Sequence, residues 1–162
     1  MDHLHIMKIK LEVYIILEII KKVVHYTLNY THLTVKVKKH PVYACDWIDD
    51  IDEKLHEKFV LLDDNTTIDR ALIGAKHLLT VSSATIYDAL SVGINVIVID
   101  LDYSSNNDID FLKSIGINTI KDITEFPNAL VLTDNKLVNA GQMFVAEYDD
   151  KILARELNIE FS

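Results

Sequence analysis

The stretch from Leu78 to Asp100, LLTVSSATIYDALSVGINVIVID, constrains the fold of this chain more than any other. It begins with a short run rich in β-forming residues and ends with an apolar run, Asn95 to Asp100, that closes on a carboxylate. Such apolar runs are typical of parallel strands that are buried on both faces. Between them lie the polar residues 82–85 and a segment with apolar residues at helical spacing, which Gly93 closes. The sequence therefore predicts a strand–helix–strand unit.

The rest of the chain repeats this alternation of helical and extended segments. Predicted helices cover residues 8–29, 67–76, 86–92, 108–114, 136–147 and 149–157, and predicted strands cover 33–38, 59–62, 78–81, 95–100, 118–120 and 129–132. Residues 46–58 are predicted to form a loop and a short helix. Strands that alternate with helices favour an α/β fold with a parallel sheet, here as one domain over residues 1–162. A doubly wound sheet usually opens on a strand, so the first strand is expected to be missing or supplied elsewhere.

Charge and composition exclude several classes of function. The chain has 16 Lys and Arg against 25 Asp and Glu, a net charge of −9, so nucleic acid is not an expected partner. The single cysteine, Cys45, excludes an intrachain disulfide and fits a reducing compartment. The start lacks the pattern of a signal peptide, and no apolar stretch is long enough to span a bilayer. We expect a cytoplasmic protein, with peripheral attachment to the inner face of the membrane as an alternative.

The leading helix, residues 8–29, is apolar over most of its circumference. Its polar positions Glu18, Lys21, Lys22 and His25 recur at helical spacing and leave a wide apolar face. A helix lying on a membrane surface would carry a richer basic face. The pattern therefore predicts burial on more than one side, inside the domain or at an interface with a second copy.

Polar residues follow three of the predicted strands. His40-Pro41, Asp63-Asp64 and Ser82-Ser83 each stand where a strand ends. Because the carboxyl ends of parallel strands lie at one edge of a sheet, we expect them to converge on one ligand. Ser82-Ser83 also precedes a helix, where free backbone N–H groups and the helix dipole favour a phosphate. Asp88, one turn into that helix, is placed to accept hydrogen bonds from ribose hydroxyls.

Each of these features also has a structural explanation. Serines before a helix are common caps, a His-Pro pair often just ends a strand, and paired aspartates often form a solvated turn. The ordered combination of all three favours the functional interpretation. No histidine or cysteine spacing predicts a metal site, and only four glycines exclude most glycine-rich phosphate loops. We therefore expect no metal and no cofactor other than a nucleotide-sugar that serves as substrate.

The motif-bearing core, residues 33–100, resembles a known group of enzymes. The Lys-His-Pro and Asp-Asp strand ends, followed by VSSATIYDALSVGINVIVID, resemble the C-terminal, nucleotide-binding half of GT-B glycosyltransferases. The similarity is strongest to bacterial sialyl- and polysialyltransferases and to the capsule and teichoic acid transferases of surface polysaccharides. It implies a Rossmann-like, doubly wound parallel sheet with helices on both faces and a looser match over residues 101–162. The implied nucleotide-binding residues are His40, Pro41, Ser82, Ser83, Thr85 and Asp88, with Asp63, Asp64 and Lys39 as further candidates.

The resemblance implies a domain that binds the donor nucleotide, a CMP-sugar or a CDP-linked donor, and that is incomplete alone. In such enzymes the general base lies mainly in an N-terminal half, and the acidic pair followed by glycine that marks it does not occur here. No catalytic residue is therefore assigned, and the missing half is an expected partner. Two alternatives stay open: a non-catalytic Rossmann-like module that forms homo-oligomers through residues 8–29, and an epimerase-like domain acting on UDP-sugars.

Overall fold

The structure is a computed structural model and describes residues 3–39, 46–81, 84–101 and 107–131. Its helices are α1 (His3–Tyr30), α2 (Ile68–Leu72), α3 (Thr85–Ser91), α4 (Asn107–Ser114) and α5 (Phe126–Ala129). Its strands are β1 (Val35–Val37), β2 (Phe59–Leu61), β3 (His77–Thr80), β4 (Asn95–Ile99) and β5 (Asn118–Ile120). Short 3-10 helices cover Asp46–Asp50, Glu53–Lys58 and Ile123–Glu125.

These strands form two small parallel sheets. β1 pairs with β2, and the other sheet has the order β3-β4-β5. Its register places Leu78 opposite Val96 and Ile97 opposite Asn118. The predicted α/β class with parallel pairing is thus confirmed. The described residues do not form one continuous sheet, because no hydrogen-bonded ladder joins β1 or β2 to β3.

The central strand β4 is buried on both faces, which explains its apolar sequence. Its residues Val96, Ile97, Val98 and Ile99 are all 0% exposed. Val96 and Val98 pack into a cluster with residues of α3 and α4, whereas Ile97 and Ile99 pack with residues of α1 and α5. The three-stranded sheet therefore lies between two helical layers, and the two-sided burial predicted from the sequence is confirmed.

The wide apolar face of α1 has partners inside the chain. Ile19 and Val23 pack onto the three-stranded sheet, and α1 also contacts β1 and the 3-10 helix Glu53–Lys58. Lys58 Nζ ties that 3-10 helix to the end of α1 by donating to the carbonyl oxygen of Leu28, at 3.2 Å. Over residues 13–30, the predicted burial of α1 on more than one side is confirmed. No helix within the described ranges combines the length and the apolarity needed to cross a membrane.

Turn residues account for several element boundaries. Gly93 follows the end of α3 with φ = 76°, a left-handed backbone conformation that residues with a Cβ rarely adopt. The sequence predicts this role for Gly93. The strand predicted over residues 129–132 is wrong at its three described residues, because Phe126–Ala129 is helical and residues 130 and 131 form a turn and a bend. Pro127 lies in the first turn of that helix, where its fixed φ is favourable and its missing N–H costs nothing. The helices predicted over residues 136–147 and 149–157 lie outside the described residues.

Candidate functional site

The carboxyl edge of the three-stranded sheet carries the first group of predicted site residues. Ser82 and Ser83 lie outside the described residues, but the chain places them between the end of β3 and the start of α3. Thr85 is the first residue of α3 and is half-buried. The predicted strand and helix are therefore both present, and the polar pair belongs to the connection between them, where ligands of parallel α/β sheets usually bind.

The carboxyl edge of the two-stranded sheet carries the second group. His40 and Pro41 lie outside the described residues, and exposed Lys39 precedes them. Lys38 Nζ donates to the carbonyl oxygen of Asp64 at 3.4 Å, so the ends of β1 and β2 meet at this edge as expected. Lys39, Asp63 and Asp64, all exposed, thus lie near the same edge of this sheet.

Asp63 has a structural role at that edge. Its carboxylate oxygen Oδ1 accepts a hydrogen bond from the backbone N–H of Asn65 at 2.8 Å. Its carbonyl oxygen accepts from the N–H of Thr66 at 2.9 Å, which closes a turn after β2. A side chain that bonds the backbone two residues later is the usual arrangement of aspartate in turns. Its participation in ligand binding stays a prediction.

Asp88 lies in a setting that the sequence does not reveal. Its exposed side chain lines an open groove of about 360 Å³ between α2 and α3. The groove is also lined by Asp69 of α2 and by Ala75 and Ile94, which precede β3 and β4. Asp88 therefore faces residues on the amino side of the strands, whereas Ser82-Ser83 follows their carboxyl side. Its predicted contact with ribose stays a prediction that this arrangement does not favour.

An ion pair at the carboxyl end of β4, between a buried carboxylate and a partly exposed lysine, was not predicted from the sequence. The carboxylate of Asp100, whose side chain is 7% exposed, lies 2.6 Å from Nζ of Lys113 in α4. The backbone N–H of Asp100 donates to the carbonyl oxygen of Ile120 and so anchors the residue to β5. The sequence feature that could have indicated this ion pair is the carboxylate that ends an otherwise apolar strand. The pair places one compensated charge beside the edge where a ligand is expected.

The opposite, amino edge carries a polar network that joins all three strands. Asn95 Nδ2 donates to the carbonyl oxygen of Ala129 at 3.0 Å and lies 3.0 Å from Nδ1 of His77. Asn118 Nδ2 donates to the same carbonyl oxygen at 3.2 Å. The carbonyl oxygen of Ala129 can only accept, so the Asn95 atom that faces it must be the amide nitrogen. That nitrogen donates to Nδ1 of His77 as well, so Nδ1 must be an acceptor without a proton. The network requires a neutral His77 and satisfies the last carbonyl of α5.

The stability of the fold is expected to depend on pH through His77. Burial and the nearby charge of Lys76 lower the pKa of His77 below its usual value of 6.5. The unfolded chain then binds a proton more readily than the folded chain, so stability falls as the pH drops below about 6.5. Urea midpoints at about pH 7.5 and about pH 5.5 test this. The decrease should be smaller in His77→Gln than in the wild type or in His25→Gln, which alters an exposed histidine. An equal decrease in all three proteins contradicts this role.

Among the described residues, no three His, Cys, Asp or Glu side chains are grouped as a metal site requires. No protein-family model, curated protein or solved structure matches the chain. The function of the chain is therefore inferred from its sequence motifs and from their positions in the fold.

Proposed function

We propose that this chain is the donor-nucleotide-binding domain of a GT-B glycosyltransferase that acts on cell-surface polysaccharide. The observation that carries the proposal is the position of Ser82-Ser83 in the chain, between β3 of a parallel sheet and α3. Ligands of parallel α/β sheets bind beyond the carboxyl ends of the strands. The full proposal includes a doubly wound, Rossmann-like sheet and a CMP-sugar or CDP-linked donor, the donor class that the sequence resemblance implies.

The proposed chemistry is electrostatic and needs no covalent intermediate. The hydroxyl groups of Ser82 and Ser83 donate hydrogen bonds to the donor phosphate, and His40 donates a further one. Donors that point at a leaving phosphate stabilise the charge that develops on it as the sugar departs. Lys38 and Lys39 add positive charge near His40 in a chain whose net charge is −9. These residues would therefore favour departure of the nucleotide as well as its binding.

The chain alone is expected to bind the nucleotide without transferring the sugar. The resemblance assigns the acceptor site and the general base to a second domain. The ion pair described at this edge, Lys113 with Asp100 at 2.6 Å, is mutually compensated, and neither residue is assigned a catalytic role. A partner that supplies the other half is part of this proposal.

A thermal-shift titration with CMP, CDP, UMP and UDP tests the proposal. A ligand that binds only the folded chain raises the melting temperature, and the shift grows with ligand concentration. We expect a shift with CMP or CDP and its loss in the double variant His40→Ala, Ser83→Ala. The matched double variant His25→Ala, Ser114→Ala removes two exposed side chains elsewhere and should keep the shift.

The other outcomes select among the alternatives. Stabilisation by UDP alone would favour an epimerase-like domain that acts on UDP-sugars. No shift with any nucleotide would overturn the proposal and favour a non-catalytic module. An interface through α1 stays an alternative. Ile19 and Val23 already pack inside the chain, whereas Tyr14 and Tyr30 are 63% and 72% exposed.

A further inference from the structure

We propose that the groove between α2 and α3 is a docking site for a partner polypeptide, which inserts an arginine side chain flanked by apolar side chains. The groove has a volume of about 360 Å³, carries Asp69 and Asp88 in its lining, and is called the acidic groove below. It lies near the amino ends of β3 and β4, because Ala75 and Ile94 line it. The nucleotide is proposed to bind at the opposite, carboxyl edge, so the two sites are separate.

The floor of the acidic groove belongs to the hydrophobic core. Ile94 is 4% exposed and lies in the buried cluster that α3 and α4 form with β4. Leu72 and Ala75 are half-buried and pack against the same cluster. Because these three side chains are held by the core, the floor is formed before a partner binds. Such preorganisation lowers the entropic cost of binding.

The rim of the acidic groove carries exposed apolar side chains. Ile73 at the end of α2 and Val92 at the end of α3 are 69% and 67% exposed. The carbonyl oxygen of Ile73 accepts a hydrogen bond from Nζ of Lys36 in β1, at 2.6 Å, which anchors this rim. Pockets for small molecules enclose most of the ligand. An open groove whose apolar surface continues over its rim is better matched by the side chains of a polypeptide.

The charge of the acidic groove defines the chemistry of the partner. Among the described residues that line it, the two ionisable ones are Asp69 of α2 and Asp88 of α3, both exposed. A guanidinium group suits such a site, because it binds carboxylates bidentately and is more weakly hydrated than an ammonium group. The net charge of −9 attracts a basic partner at longer range and disfavours a second copy of this chain. Charge complementarity therefore favours a basic segment with apolar neighbours.

Fluorescence polarisation with the labelled peptide Leu-Arg-Ala-Leu-Arg tests the acidic groove in the full chain. We expect saturable binding that weakens as salt is added. The double variant Asp69→Asn, Asp88→Asn should weaken binding by about five- to tenfold. The matched double variant Asp49→Asn, Asp110→Asn removes two charges from exposed positions elsewhere and should keep the affinity within about twofold.

Two further comparisons separate the apolar contribution from the charge. Val92→Ser shortens the apolar rim without touching a carboxylate and should weaken binding by about threefold. Because Val92 is 67% exposed, this variant should melt at the same temperature as the wild type. The peptide Leu-Gln-Ala-Leu-Gln keeps the apolar residues but lacks the charge, and it should bind about tenfold more weakly.

Four results would overturn the proposal. Equal losses of affinity in the two double variants would mean that the peptide responds only to net charge. Competition by butylguanidinium at the same concentration as the unlabelled peptide would identify a small cation as the occupant. Self-association of the chain in sedimentation equilibrium, abolished by Asp69→Asn, Asp88→Asn, would identify a second copy. Absence of peptide binding to the full chain would mean that the groove is closed to partners, as when another segment of this chain covers it.

Discussion

Replacing Ile97 by alanine should lower the free energy of unfolding by about 2–5 kcal/mol. Ile97 is 0% exposed and lies in the middle of β4, the strand that pairs with both neighbours in the three-stranded sheet. Its side chain packs in the cluster that holds α1 and α5 against the sheet. The variant loses the transfer free energy of the deleted carbons and leaves a cavity that the paired strands prevent from collapsing.

Ile73→Ala is the matched control for this substitution. It deletes the same atoms from a side chain that is 69% exposed, so its effect should stay within about 0.5 kcal/mol. Urea denaturation followed by circular dichroism measures both variants against the wild type. Equal effects at the two positions, or a loss below about 1 kcal/mol in Ile97→Ala, would contradict the central position of β4.

The unit from β3 to β4 was predictable because its signals are local. The predicted segments 78–81, 86–92 and 95–100 agree within one residue with His77–Thr80, Thr85–Ser91 and Asn95–Ile99. Continuous apolar runs distinguish buried strands, helical spacing distinguishes the helix, and Gly93 fixes where the helix ends. Each of these rules depends on residues that are close in sequence.

The parts that were not predicted depend on residues that are distant in sequence. Asp100 meets Lys113 only because α4 packs back over the sheet, and the network of His77, Asn95 and Asn118 exists only because of the register of three strands. The division into two sheets likewise depends on which strand edges meet in space. Asp63 and Asp64 follow β2 as predicted, whereas His40, Pro41, Ser82 and Ser83 lie outside the described residues. The convergence of these residues on one ligand stays a prediction.

Replacing Lys113 by methionine is expected to cost about 1–3 kcal/mol of stability. Methionine keeps much of the apolar stem and removes the ammonium group, so the carboxylate of Asp100 loses its partner at 2.6 Å. A buried carboxylate without a compensating charge is strongly unfavourable, whereas the lysine itself loses little because its side chain is 41% exposed. Lys54→Met, which alters an exposed lysine of a 3-10 helix, should change stability by less than about 0.5 kcal/mol.

A double-mutant cycle separates loss of the pair from loss of the lysine stem. Asp100→Asn removes the carboxylate charge but keeps polar atoms at the same position, so Lys113→Met should cost clearly less in that background than in the wild type. The interaction free energy from the cycle is then expected to be about 1 kcal/mol or more. An interaction free energy near zero would mean that the close approach of the two side chains does not stabilise the fold. Because Asp100 ends the strand at the edge where the nucleotide is proposed to bind, CMP-induced thermal shifts of the same four proteins would show whether this pair also holds that edge in a binding-competent arrangement.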